Sequence, residues 1–166
     1  MLFRSKNIER IVAPLYPSWD GGCYHKYLDT FGLGDAQNGK KHIKDLSRGM
    51  QMKLMLAIAL SHDAKLLILD EPTNGLDPVG IHEIRTLIRS LPQKYDCTVL
   101  VSSHLLPEVE LMADDIGILN HGHLLFEGTK EELKTSARAA GFPTDNLEDT
   151  FLAMIDEDNR RRGGTV

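Results

Sequence analysis

The sequence has few of the residues that mark a secreted, metal-binding or membrane-spanning chain. Its two cysteines, Cys23 and Cys97, lie far apart in 166 residues and lack the companion spacing of a metal site. Reduced thiols in a cytosolic chain are therefore expected. No apolar run approaches the roughly 18 residues that cross a bilayer, and the N-terminus lacks the apolar region of a signal peptide. If membranes matter to this chain, we expect them to act through a partner protein.

Neither positive nor negative charge is in large excess. The net charge is -5 and the pI is near 5.8, which argues against a broad nucleic-acid surface. Hydrophobic residues make up 42% of the chain and charged residues 26%, as is ordinary for a globular protein. At this length, one domain with a real hydrophobic core is expected.

The most informative stretch is a short aliphatic run that ends in two acids. Residues 66–69 are Leu-Leu-Ile-Leu and predict a strand buried on both faces, followed by Asp70, Glu71 and Pro72. Adjacent buried carboxylates repel each other, so we expect the pair to meet water, a cation or a hydrogen-bond donor. Ligands of open parallel sheets bind at the carboxyl ends of the strands. The pattern is the Walker B pattern of phosphate-splitting ATPases, with an ordinary strand-to-loop turn as the alternative.

A second candidate site lies at the start of a predicted helix. Residues 51–60 are rich in Met, Leu, Ala and Ile and predict a mostly buried helix. Ser47 is a good N-cap, and Gly49 would let a ligand approach the backbone closely. Together with Arg48, the first-turn N–H groups and the helix dipole would form an anion seat. The alternative is a capped core helix with nothing bound.

A helical crossover follows the two acids and leads to a second strand. Asp77 as N-cap and Pro78 at the first position predict a helix with an apolar face over 81–91, which Pro92 is expected to follow. Residues 98–101 predict a strand that leads to His104. Because the crossover favours parallel strands, we expect His104 on the same sheet edge as the acid pair, although a lone histidine can also be purely structural.

One stretch matches the spacing of a phosphate-binding loop but lacks the residue that would hold magnesium. Residues 34–41 satisfy G-x-x-x-x-G-K, but Lys41 stands where such a loop needs Ser or Thr to hold magnesium. A phosphate loop also links a buried strand to a helix, whereas residues 26–31 look helical and residues 42–45 are short and polar. We interpret the match as a coincidence.

The remaining patterns predict local elements. They are a short helix through Tyr27, a short helix over 107–113, a hairpin around His121-Gly122, a capping box from Thr129 to Glu132, and a last helix with apolar residues at 147, 151, 154 and 155. The arginines at 160–162 are expected to lie in a frayed tail, not in a nucleic-acid site.

Four of these motifs stand together in a recognisable order. Residues 46–50 (Leu-Ser-Arg-Gly-Met), 66–71, 75–77 (Gly-Leu-Asp) and His104 resemble the signature loop, Walker B strand, D-loop and H-loop of the ATP-binding subunits of ABC transporters. The resemblance covers residues 46–78 and 99–133. Residues 13–20 resemble the helical subdomain of a bacterial subgroup that serves small multi-spanning permeases.

The resemblance implies a fold and its division. The expected fold is α/β, the C-terminal part of a P-loop NTPase-type three-layer core joined to the α-helical ABC subdomain, with the N-terminal phosphate-loop lobe absent. The expected regions are a helical signature subdomain over 1–62, the C-terminal part of the catalytic core over 63–135, and a C-terminal helix and tail over 136–166. Without the phosphate-loop strand, the strand before His104 should have an unpaired edge and the chain lower stability.

The resemblance also implies catalytic roles with ATP and Mg²⁺ as cofactors. Asp70 would hold the magnesium ion, through water. Glu71 would orient or deprotonate the attacking water, and His104 would contact the γ-phosphate and couple it to Glu71. Such roles suit phosphoryl transfer, in which positioning and charge neutralisation supply most of the rate.

Other residues would act on a neighbouring subunit. Ser47 and Gly49, with Arg48 as an added phosphate contact, would bind the γ-phosphate of ATP held by the opposite subunit, and Asp77 would lie at the interface. The partners implied are a second ATPase subunit, arranged head to tail, and an integral-membrane permease on the inner face of the cell membrane; no nucleic acid is expected. Arg48 and Met50 depart from the Gly and Gln that the family usually has.

Three hypotheses follow for the function. The first is an ATP-hydrolysing transporter subunit, expected to be inactive by itself because no phosphate loop is present. The second is a non-catalytic module that lends its signature loop to a full-length homologue. The third, a DNA-associated or ribosome-associated ATPase of the same superfamily, fits poorly with the acidic balance and the lack of a coiled-coil insertion.

Overall fold

The structure, a computed structural model, describes residues 5–34 and 42–163, with only the backbone given for Ser5 and Lys6. The chain divides into two compact units, Met1–Ser102 and Ser103–Val166. The three regions expected from the sequence stay a prediction. Among the described residues, no helix combines the length and the apolar character that a membrane crossing requires. Both cysteines are free thiols, as expected.

The first unit is mostly helical and contains one small parallel sheet. Its elements are α1 (Ser5–Val12), a 3₁₀ turn (Ala13–Leu15), α2 (Gly21–Thr30), a second 3₁₀ turn (Ile43–Asp45), α3 (Arg48–Leu60), β1 (Leu66–Asp70), α4 (Pro78–Tyr95) and β2 (Thr98–Ser102). The core of this unit is built from α2, α3 and α4, and its most deeply buried side chains include Tyr24, Leu56, Ala57 and Leu91.

The helix starts in this unit follow the capping residues of the sequence. The carboxylate of Asp20 accepts a hydrogen bond from the Cys23 N–H at 2.9 Å and begins α2, which runs through Tyr27 as predicted. Ser47 caps α3 and Asp77 caps α4, with Pro78 in its first turn. These three predictions are confirmed because a cap depends on side chains only a few residues away.

The two strands pair in parallel, in the register Leu66 with Thr98 through Asp70 with Ser102. The parallel arrangement is confirmed, and within the described residues β2 pairs with β1 alone, so its other edge is unpaired. The prediction that β1 is buried on both faces is wrong. Leu67 is 4% exposed, whereas Ile68 is 69% exposed. Side chains alternate along a strand, and α3 and α4 provide the core that covers only the Leu67 side.

Helix α4 does not end before Pro92, which corrects the sequence prediction. It continues to Tyr95 and closes at Asp96, whose left-handed backbone lets its N–H donate to the Pro92 carbonyl at 3.1 Å. Proline removes one helical hydrogen bond. The extra turn is stabilised because the Tyr95 ring packs edge-on against Tyr27, with a centroid separation of 5.1 Å.

The second unit joins a hairpin to three helices. Its elements are α5 (Leu106–Met112), β3 (Asp115–Asn120), β4 (His123–Thr129), α6 (Lys130–Ala139) and α7 (Leu147–Arg161). The predicted hairpin is confirmed: β3 and β4 are antiparallel, and both loop residues, His121 and Gly122, have positive φ, as a two-residue type I′ turn requires. Ile116, Ile118, Leu133 and Leu147 form the core.

Side chains stabilise the start of α6 and the end of α7. Thr129 and Glu132 form the predicted capping box at the start of α6. The prediction of a frayed arginine tail is wrong for the described residues, because α7 extends to Arg161. Arg161 pairs with Glu157 at 2.7 Å, and Arg162 pairs with Asp158 at 2.7 Å, each one helical turn back.

Candidate functional site

The ends of β1 and β2 bring an acid and a hydroxyl together. Asp70 and Ser102 are partners in the register, and the Ser102 hydroxyl donates to Asp70 Oδ1 at 2.5 Å. Both side chains are exposed. Sequence reasoning missed Ser102, although its place at the end of the second strand was a signal, because the parallel register puts strand ends side by side. Asp70 therefore presents an oriented carboxylate at the sheet edge.

Glu71 follows with an unusual backbone. Its φ is +47°, in the left-handed region that costs a residue with a side chain about 1 kcal/mol or more. Its N–H donates to Ser102, to the carbonyl at 3.2 Å and to the hydroxyl at 3.1 Å. Its carbonyl accepts from the Asn74 N–H at 3.0 Å. These bonds stabilise the strained conformation and turn the chain sharply after Asp70, the last residue of β1, so that Glu71 does not continue the strand.

The start of α3 is an ordered, capped helix terminus. Ser47 Oγ accepts from the Met50 N–H at 3.2 Å, and the Ser47 carbonyl accepts from the Gln51 N–H at 2.9 Å. Gln51 Nε2 donates back to the Leu46 carbonyl at 3.0 Å. The Gln51 side-chain amide thus supports the loop. It lies one residue after Met50, the position at which the ABC family usually has glutamine.

The backbone of Gly49 can be approached closely. A methyl group placed there would meet only the Leu76 side chain, at 3.9 Å. The first-turn N–H groups of the 13-residue helix α3 point toward its N-terminal end, where the helix dipole favours an anion. Binding of an anion by Ser47, Arg48 and Gly49 stays a prediction.

The turn after Glu71 lies against this helix terminus. Arg48 Nη1 donates to the Asn74 carbonyl at 3.4 Å, and Leu76 packs near Gly49. Asp77 then caps α4 by accepting from the Gly80 N–H at 3.0 Å. The structure thus brings the signature-like and D-loop-like residues together within the first unit.

Two features predicted from the sequence are not part of the site in the first unit. His104 lies two residues after the end of β2 and belongs to the second unit, where its side chain is exposed. Its role beside Glu71 stays a prediction. Most of the G-x-x-x-x-G-K stretch, residues 35–41, lies outside the described residues.

Solved structures define the fold class. A solved structure of the ATP-binding subunit of an ABC transporter aligns with a TM-score of 0.72 at 24% identity, over 92% of this chain and 62% of that one. The fold is therefore that of ABC ATPase nucleotide-binding domains, a P-loop NTPase-type α/β fold.

Sequence relatives give the family. Residues 4–74 match the ABC transporter family. The bacitracin transport ATP-binding protein BcrA of Enterococcus faecalis is 44% identical over 124 residues, 75% of this chain and 40% of the relative. The lantibiotic transport ATP-binding protein SrtF of Streptococcus pyogenes is 40% identical over 134 residues, 81% of this chain and 52% of the relative. Residues 4–74 are therefore part of an ABC transporter ATP-binding domain, and the chain spans about half the length of these relatives or less.

The donor set suits the cofactors of this family. Magnesium prefers oxygen ligands and is commonly held by one or two carboxylates together with water and substrate phosphates. Asp70 and Glu71 supply such oxygens at the sheet edge. Among the described residues no group of three or more His, Cys, Asp or Glu side chains could cage a metal by itself, so magnesium would need phosphate and water oxygens as well.

Proposed function

We propose that the chain acts as the ATP-binding and ATP-hydrolysing subunit of an ABC transporter that powers a membrane permease. The observation that carries the proposal is the strand-end arrangement, in which Ser102 orients Asp70 and stabilises the turn at Glu71. Phosphoryl transfer needs a positioned carboxylate and little covalent chemistry from the protein. The names of BcrA and SrtF, both transport ATP-binding proteins, support the same conclusion.

Each proposed residue has one task. Asp70 holds magnesium through water, and Glu71 orients the attacking water or takes its proton. His104 contacts the γ-phosphate. ATP, when bound, supplies the phosphoryl group whose transfer to water releases the energy for transport.

The signature residues act on a partner. Ser47 and Gly49 face the γ-phosphate of ATP held by a second ATPase subunit in a head-to-tail dimer, with Arg48 between them in the chain, and Asp77 lies at the interface. Their support is the capped terminus of α3 and its contact with residues 74–76. We propose a permease as the other partner, on the inner face of the cell membrane, and an antibiotic-type cargo, because the relatives are named for bacitracin and a lantibiotic.

The proposal is tested by ATP turnover. We expect none from the chain alone and measurable turnover when the chain is co-expressed with the phosphate-loop part of a relative such as BcrA. Glu71→Gln should reduce that turnover at least about a hundredfold, because general base catalysis contributes on this order. Turnover that persists in Glu71→Gln would contradict the assigned role, and a chain that never supports turnover would contradict the proposal.

A second candidate function is favoured by the exposed, preformed α3 terminus. In this case the chain lends its signature residues to a full-length homologue. The test uses a homologue whose own signature serine is replaced, so that its site lacks a working partner. Added wild-type chain should restore turnover and Ser47→Ala should not, whereas Glu71→Gln should still restore it, since the homologue supplies its own glutamate. Equal restoration by Ser47→Ala would exclude lending.

A further inference from the structure

Arg48 makes contacts that its position in a phosphate seat does not require. Although Arg48 is the first residue of α3 and is exposed, its guanidinium lies against the chain at residues 74 and 75. Nη1 is 3.4 Å from the Asn74 carbonyl oxygen. A guanidinium at this distance forms a weak hydrogen bond that its positive charge strengthens.

The neighbouring glycine is shaped to admit this side chain. A methyl group on Gly75 would lie 2.7 Å from Arg48 Nη1, 3.1 Å from Cζ and 3.3 Å from Cδ. The end of the Arg48 side chain therefore occupies the space that a side chain at position 75 would fill. Gly75 also has φ +72°, which disfavours any larger residue. The positive φ thus favours glycine here, and a methyl group would in addition require the Arg48 guanidinium to move.

The contact joins two segments that the proposed function requires at a fixed spacing. Ser47 and Gly49 are the chain neighbours of Arg48 at the start of α3. Leu76 and Asp77 follow the turn that the Arg48 side chain contacts. Within the part of the chain that the structure describes, the turn has two backbone bonds of its own, from Asn74 N to the Glu71 carbonyl at 3.0 Å and from Leu76 N to the Thr73 carbonyl at 3.2 Å. An added bond from the side chain therefore matters for its order.

We propose that Arg48 is a positioning residue that braces the 74–76 turn against the N-terminus of α3, and so sets the spacing between the signature residues and Asp77. Arg48 acts through the Asn74 carbonyl and the Gly75 backbone, not mainly through phosphate. This inference rests on the proposed function for its catalytic consequence, but the brace itself is a property of the chain alone.

Amide hydrogen exchange of the full chain tests the brace without any nucleotide. In Arg48→Ala, the Asn74 and Leu76 amides should exchange about fivefold faster, as the loss of one modest hydrogen bond predicts. The amides of β1 should be unchanged. Arg10→Ala is the matched control, because it removes the same charge from an exposed site on α1 in the same unit. Unchanged exchange at residues 74 and 76 would overturn the proposal.

Gly75→Ala gives a second, independent variant. The added methyl group should displace the guanidinium and also strain the backbone at its positive φ, so its effect on exchange at residues 74 and 76 should include that of Arg48→Ala and exceed it. The double variant should then be less than additive, as expected for two residues in contact. Fully additive effects would contradict the contact.

The catalytic consequence is tested with the signature-deficient homologue. Arg48→Ala should lower the kcat of restored turnover about fivefold, while the KM for ATP stays constant and Arg48→Lys recovers part of the loss. A raised KM with unchanged exchange would mean a direct phosphate contact and would overturn the brace. If even the wild-type chain restores nothing, the proposed lending fails, whereas the exchange experiment still decides the brace.

Discussion

At the scale of single residues, the site depends on polar groups that fix a backbone. The Ser102 hydroxyl donates to Asp70 and lies within hydrogen-bonding distance of the Glu71 N–H, so one side chain links both acids. The strained φ of Glu71 is maintained by these bonds and by the turn to Asn74. Strained residues of this kind concentrate where chemistry requires a fixed geometry.

Tyr24 is the residue with the clearest stability prediction. Its side chain is fully buried, its hydroxyl has no hydrogen-bond partner among the described residues, and burial raises its pKa to about 12, with a further contribution from the charge of Glu9. Removing an unsatisfied buried hydroxyl is neutral to stabilising, so Tyr24→Phe should raise the free energy of unfolding by about 1 kcal/mol in urea denaturation at pH 7.

The pH dependence of the same variant has a definite sign. Folding favours the neutral tyrosine, so its contribution is present below pH 10 and is lost as the pH rises toward 12. Tyr24→Phe should therefore lose less stability than the wild type in this range. Tyr16→Phe is the control, since Tyr16 is 37% exposed and stacks on His62. An equal loss in Tyr24→Phe and the wild type would contradict the assignment.

At the scale of elements, helix starts and turns are decided by neighbouring side chains. Ser47, Asp77 and Thr129 each accept a hydrogen bond from an N–H three residues later. The ends are different: α4 passes Pro92 because Tyr95 packs on Tyr27, and α7 reaches Arg161 because its arginines pair with acids one turn back. The three starts and the end of α7 are therefore decided locally, whereas the end of α4 depends on a contact with another helix.

The capping box of α6 gives an element-scale prediction. Two hydrogen bonds from Thr129 lower the pKa of Glu132, the larger effect coming from its backbone N–H and the smaller from its hydroxyl. The ionised form of Glu132 is therefore favoured in the folded state. This contribution is present above the ordinary glutamate pKa of 4.5 and is lost as the pH falls below it. The protection factors of the α6 amides, which correct for the intrinsic pH dependence of exchange, should fall over this range, and Glu132→Gln should remove that fall.

Thr129→Ala should weaken the same helix at every pH. Loss of an N-cap costs about 1 kcal/mol, so the α6 amides should exchange faster at pH 7 as well. Ser136→Ala, on the same helix but away from the cap, is the control. Unchanged exchange in Thr129→Ala would show that packing of Leu133, and not the cap, decides where the helix begins.

At the scale of the whole molecule, the sheet of the first unit leaves apolar surface uncovered. Leu66, Ile68 and Leu100 are each more than half exposed on one face of the two strands. An exposed apolar sheet face with an unpaired edge favours association with other chains. The chain also spans only 40% to 52% of its BcrA and SrtF relatives.

Two neighbouring residues of β1 test this exposure. Ile68→Thr should reduce self-association, measured by sedimentation velocity, with a change in unfolding free energy within about 0.5 kcal/mol. Leu67→Thr faces the core and should instead destabilise the unit by about 2 kcal/mol or more. If Ile68→Thr destabilises as much as Leu67→Thr, the Ile68 face is covered in solution and the assigned exposure is wrong.

The sequence by itself determined the helix starts, the His121-Gly122 hairpin, the parallel strand pair and the family motifs, because caps, turns and short periodic patterns depend on residues close in the chain. It could not decide which side of β1 is covered, where α4 ends, or which groups meet at the site. The Ser102 bond to Asp70 and the contact of Arg48 with Asn74 join residues 32 and 26 positions apart. Only the strand register and the packing of α3 bring such residues within hydrogen-bonding distance, so the tertiary structure alone decided them.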